Sequence, residues 1–143
     1  MAEMADELAR VPLFAGLGRR QLKKLAERCK ERRLPAGTTP VHEGKMSGIG
    51  FFVVVEGEAA VSIGGEVVAT LEPGSHFGEI ALIREAERTA TVTATTELRL
   101  LEIPFYDFRD FVHANPDVMW KLLQDVVAMQ YGDAGEHAGS PNV

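Results

Sequence analysis

The sequence predicts an α+β domain: a small antiparallel β-barrel or jelly roll (a double-stranded β-helix), with helices before it and two more after it. Three observations carry this. Apolar residues recur at helical spacing in the first third of the chain. From about Thr38 the pattern changes to short β-branched and aromatic runs, with turn residues every eight to twelve positions. After Pro104 the helical period returns.

The N-terminal stretch DELARVPLF reads as helical, AGLG as a turn, and RRQLKKLAERCKERRL as a second helix that stops before Pro35 and Gly37. Leu17, Leu22, Leu25 and Ala26 would form its apolar stripe. FFVVV, EAAVSI, EVVATL and TATVTATTELRLLEI then supply the strands, broken by EG, GG and PGS. FYDFRDFVHAN is helical, and DVMWKLLQDVVAMQY forms a last helix, with Asn115 as its N-cap and Pro116 in its first turn. That last helix is apolar on two sides. Met119, Leu122, Leu123 and Val126 make one face, and Trp120, Val127 and Tyr131 the other. The tail from Gly132 is rich in Gly, Ser and Pro and is expected to be disordered, so residues 1–131 form the domain and 132–143 the tail.

A chain of 143 residues, 45% hydrophobic and 25% charged, suits one globular domain. An acidic N-terminus without a signal-like apolar run, and no run approaching a membrane span, predict a cytoplasmic protein. The single cysteine, Cys29, cannot form an internal disulfide and is a poor metal ligand alone. Net charge is −6, yet residues 19–33 carry eight of the fifteen cations against two acids, which leaves −12 on the remainder. A basic run can mark a nucleic-acid surface, but apolar residues at helical spacing between the cations favour an amphipathic helix with a solvated face, and no nucleic-acid binding is expected.

The chemistry concentrates in FGEIALIREAERTAT, Phe77 to Thr91. GEIALIRE is a poor strand and suits a turn or two of helix inserted into the barrel. The free N–H groups at such a helix start attract an anion, and Gly78 allows close approach. Glu79 would repel that anion unless the ligand also presents a hydroxyl. A ribose 2′-hydroxyl beside a phosphate meets the condition, with Arg88, nine residues on, supplying a guanidinium fork to the phosphate. The plainer alternative is a Glu79–Arg88 salt bridge beside ordinary core residues.

This segment resembles the phosphate-binding cassette of the cyclic nucleotide-binding domain family, which is shared by kinase regulatory subunits, cyclic-nucleotide-gated channels and bacterial catabolite-activator proteins. The resemblance runs from about Leu13 to Tyr131. Its landmarks are Gly44, Gly57, Gly74, Gly78, Glu79 and Arg88. It implies that Phe77 and Gly78 open the cassette, Glu79 binds the ribose 2′-hydroxyl and Arg88 pairs with the cyclic phosphate. Backbone N–H groups near Ile80, Ala81 and Leu82, and at Thr89 or Ala90, would complete the cradle. The base would lie against the barrel, with Trp120, Val127 and Tyr131 on a lid helix. Two positions depart from the family pattern: Glu87 stands where many members have proline before the arginine, and Lys45 where an acid often follows the glycine.

The implied ligand is cAMP in preference to cGMP, although Thr89 is a residue type that can reach a guanine. No cofactor is implied. The expected partners are the nucleotide, an effector protein or effector domain not contained in these residues, and a second copy through the C-terminal helices. The lid face could instead lie on that second copy or on the N-terminal helices. Two other functions compete. One is a ligand-free barrel serving as an interaction scaffold. The other is a metal-dependent barrel enzyme using His76 and Glu79, which is poorly supplied because His42, His113 and His137 fall in a loop, a helix and the tail.

Overall fold

The computed structural model describes residues 2–41, 50–78 and 90–130. Helix α1 (Ala2–Ala9), a 3-10 turn (Pro12–Phe14) and α2 (Arg19–Arg28) precede the barrel. The strands are β1 (Lys30–Leu34), β2 (Gly50–Glu56), β3 (Ala59–Ile63), β4 (Glu66–Leu71), β5 (His76–Phe77), β6 (Thr91–Ala94) and β7 (Leu98–Pro104). Helices α3 (Phe105–Ala114) and α4 (Pro116–Gln130) close the described chain. The expected architecture of helices, antiparallel barrel and two helices is present.

Among the described residues the strand pairs are antiparallel and form two sheets, one ordered β1-β7-β2-β5 and the other β4-β3-β6, with a bridge from Val41 to Val92 beside β6. The run FFVVV is apolar throughout because β2 is buried on both faces. Phe51 and Val53 face a core shared with the helices, whereas Phe52 and Val54 face the barrel interior. Strand β7 alternates likewise: Leu98 and Leu100 point into the barrel, Leu101 and Ile103 toward the helices. Where the chain turns from β2 to β3, Gly57 has φ +89°, and a Cβ there would lie 2.1 Å from the Glu97 carbonyl oxygen, so only glycine fits.

The second helix is shorter than its sequence suggests. Leu22, Leu25 and Ala26 form its buried face and Leu17 packs beside them, as expected, but the helix ends at Arg28 and Lys30–Leu34 is strand β1. The residues of KERRL are good helix formers, and no glycine or proline stops the helix at Arg28. Pairing decides instead: five residues of β1 align with β7, Arg32 bonds Glu102 at 3.0 Å and Glu31 bonds Arg99 at 2.7 Å.

Asn115 stands at the expected N-cap position of α4, but its side chain is used elsewhere. Its main-chain oxygen accepts from Val118 N, but its side-chain amide donates to the Phe111 carbonyl, which satisfies the end of α3. Pro116 does open α4. The buried stripe of α4 is Val118 and Leu122. Met119 and Leu123, placed by periodicity on one apolar face with Leu122 and Val126, are exposed, and Val126 is half-buried.

Candidate functional site

The candidate segment connects the two sheets in sequence. It leaves the four-stranded sheet at β5, whose Phe77 pairs with Phe52 of β2, and it rejoins the three-stranded sheet at β6. Both anchors are in the same core. Phe77 is fully buried in the barrel interior, its ring stacked on Phe52 at 4.9 Å, and Ala90, also fully buried, joins that cluster beside Val92 and Ala94. The anchors therefore sit at opposite walls of one packed interior, which resists displacement of either end. Gly78, directly after Phe77, has φ +102°, a conformation that a side chain would strain.

Of the residues assigned to the site from sequence, Phe77, Gly78 and Ala90 are thus placed. Glu79, Ile80, Ala81, Leu82, Arg88 and Thr89 lie outside the described residues, as do Gly44, Lys45 and Glu87, the short helix expected over GEIALIRE, and Tyr131 with the tail. Trp120 and Val127, assigned to the lid, face solvent on α4, 63% and 47% exposed.

From the sequence His76 is only a possible metal ligand. In the structure it is fully buried on β5, one residue before Phe77, and its side chain leaves the strand on the opposite face, toward the helices. Its ring stacks on Phe51 at 5.3 Å, and Phe51 stacks in turn on Phe108 of α3 at 4.2 Å. Nε2 lies 3.6 Å from Oδ2 of Asp125 on α4, beyond hydrogen-bond length but within ion-pair reach for a protonated ring. His113 sits exposed on α3. Among the described residues, no group of three or more His, Cys, Asp or Glu side chains is arranged to hold a metal.

Much of the basic run is consumed internally. Arg19 pairs with Asp6, Arg28 with Asp107, Arg32 with Glu102 and Arg33 with Glu31. Arg20, Lys23, Lys24 and Lys30 find no partner among the described carboxylates. Arg20 and Lys24 instead line a cavity of about 440 Å³ between α2 and α3, whose floor includes Leu25 and Phe111 and which is separate from the cassette anchors. A second cation sits deeper. Arg99 of β7, 8% exposed, bonds Glu7 of α1 through both terminal nitrogens and Glu31 of β1 through Nε at 2.9 Å, so it fastens the first helix to the sheet.

The description "Cyclic nucleotide-binding domain" matches residues 31–115, a span running from β1 to the end of α3 and including the whole cassette. The chain belongs to this family. Among relatives of the domain, a cAMP-dependent protein kinase regulatory subunit of Schizosaccharomyces pombe is 33% identical over 138 residues, covering 94% of this chain and 33% of the relative. A cyclic nucleotide-gated potassium channel of Rhizobium etli is 36% identical over 129 residues, covering 90% of this chain and 36% of the channel. Among solved structures, the regulatory domain of Toxoplasma gondii PKA with cAMP superposes with a TM-score of 0.75 at 25% identity, over 85% of this chain and 49% of that one. The domain thus spans about a third of the length of these curated relatives. Among the described residues, no helix of the domain is long and apolar enough to cross a membrane.

Proposed function

We propose that this cyclic nucleotide-binding domain is a non-catalytic regulatory module that takes cAMP in preference to cGMP at the 77–90 segment. The observation that carries the reading is the set Phe77-Gly78-Glu79 and Arg88-Thr89-Ala90, with both ends anchored in one barrel core, inside the stretch that matches the family. A carboxylate nine residues from an arginine suits a ligand that offers a hydroxyl next to a phosphate. Glu79 accepts from the ribose 2′-hydroxyl, and Arg88 supplies charge-assisted bonds to the phosphate. Backbone N–H groups at Ile80, Ala81, Leu82 and Thr89 or Ala90 add donors that cost no side-chain ordering. The relatives named for cAMP support that base over guanine.

In this reading the signal leaves through α3 and α4, with Trp120, Val127 and Tyr131 closing over the base. The receiver is an effector protein or further domain in the cytoplasm, or a second copy joined through the C-terminal helices. A ligand can shift an existing equilibrium between helix arrangements only by its differential affinity for them. The test is isothermal titration of wild type and Arg88→Ala with cAMP and cGMP. The variant should remain folded and lose about 2–5 kcal/mol of binding, because a desolvated phosphate loses its charged partner. Equal affinities for the two proteins would refute the assignment. The exposed apolar face Trp120, Leu123 and Val127 favours a second reading, a ligand-free interaction scaffold. Absence of binding to either nucleotide at millimolar concentration would select it.

A further inference from the structure

The exposed face of α4 and the contact between His76 and Asp125 constrain one another. Asp125 shares the inward stripe of α4 with Val118 and Leu122, which are buried in the helical core. At 3.6 residues per turn, Trp120, Leu123 and Val127 lie roughly 140–160° round the helix from Asp125. They are accordingly exposed, by 63%, 49% and 47%. For that apolar face to cover a ligand on the barrel, α4 must turn or shift, and Asp125 must leave His76. The other end of the contact is tightly held: His76 is fully buried, stacked on Phe51, and joined through Phe77 to Gly78 at the mouth of the cassette.

We propose that His76 and Asp125 form an autoinhibitory latch, which holds α4 with its apolar face outward and must open before that face closes over the nucleotide. The latch rests on the ligand reading given above. It makes the two residues positioning residues that act on affinity without touching the ligand. Because the contact belongs to the open arrangement, its loss enlarges the fraction of molecules competent to close, and affinity rises by the same factor.

The experiment uses the whole chain and the variants Asp125→Asn, His76→Phe and the double variant. Phenylalanine keeps a ring on Phe51 while removing the nitrogen, and asparagine keeps the shape while removing the charge. Each single variant should bind cAMP about five- to tenfold more tightly than wild type, with no further gain in the double variant, as expected for two ends of one contact. A merely structural role would instead weaken binding. Hydrogen exchange of the ligand-free proteins gives the second readout: α4 amides should exchange about five- to tenfold faster in both single variants. Unchanged or weaker cAMP binding in Asp125→Asn, or unchanged α4 exchange with wild-type binding intact, would overturn the latch alone. Failure of both wild type and Asp125→Asn to bind either nucleotide would overturn the ligand reading, and the autoinhibition with it.

Discussion

Replacing Arg99 with alanine should destabilise the domain more than any exposed ion pair could. The Arg99 side chain is 10% exposed, and the Glu7 side chain that it meets with two nitrogens is 11% exposed. Removing one partner of such a pair strands the other charge, at a cost typically of about 3–5 kcal/mol. Glu31 moderates the figure, since its side chain is 36% exposed and keeps Arg33 at 3.0 Å. The lower end, about 3 kcal/mol, is therefore expected. For a domain of this size that corresponds to a fall of roughly 10 °C in Tm. In urea the midpoint should drop by roughly 1.5 M with little change in slope. The companion variant Glu7→Leu/Arg99→Met removes both charges and should return to within about 1 kcal/mol of wild type, since apolar replacement of a whole buried pair is often neutral. A loss below about 1 kcal/mol in Arg99→Ala would refute the reasoning, because the cluster would then be worth no more than a surface pair.

Three further outcomes are expected. Gly57→Ala should cost about 2–4 kcal/mol in urea unfolding, because a positive φ and a carbonyl 2.1 Å from the new Cβ cannot both be relieved. Burial, assisted by the Asp107 carboxylate, pushes the Cys29 thiol up to about 12. A disulfide reagent at pH 8 should therefore modify the folded protein at least about a hundredfold more slowly than the urea-unfolded chain. The bonds from Arg99 to Glu31 hold that carboxyl below its ordinary 4.5, so their stabilisation is complete above that pH and is lost as pH falls through the lower folded value. Unfolding followed from pH 5 to pH 3 should show this acid limb flattened in Arg99→Ala.

The barrel was legible because its strands are written in β-branched and aromatic residues at short, regular intervals, and the helices because Leu22, Leu25 and Ala26, or Val118 and Leu122, recur on one face. Strand β1 was not legible, since KERRL has neither alternation of apolar residues nor a breaker before it. What makes it a strand is β7, some 70 residues away, whose Arg99 and Glu102 meet Glu31 and Arg32. The same distance hid Arg99 itself: in LRLLEI it is one cation in an apolar run, and its partners lie 68 and 92 positions earlier. The cassette could be read because its chemistry is local, a glycine, an acid and an arginine within eleven residues. His76 could not. Its neighbours Phe51 and Asp125, with Phe108 stacked behind Phe51, come together only when β2, α3 and α4 are assembled.

That assembly gives β5 a position no longer strand would have. It holds two residues, pairs among the described residues with β2, and sends adjacent side chains into different cores: Phe77 onto Phe52 inside the barrel, His76 onto Phe51 outside it. A shift of the chain at Gly78 cannot be absorbed by one core alone, since close-packed interiors do not deform continuously. Through Phe77 it presses on the barrel wall. Through His76 it reaches Phe51, the face of α3 at Phe108, and Asp125 on α4. Helix α4 is also held at its first half, where Lys121 Nζ donates to the Pro12 carbonyl, while Arg99 pins α1 to the sheet. The N-terminal helices thus form a fixed frame on which α4 is tethered at Lys121. Asp125, one turn further along, faces His76 of β5 instead of the frame, and in the proposed latch it is the point at which an event in the 77–90 segment would alter the helix without unfolding it.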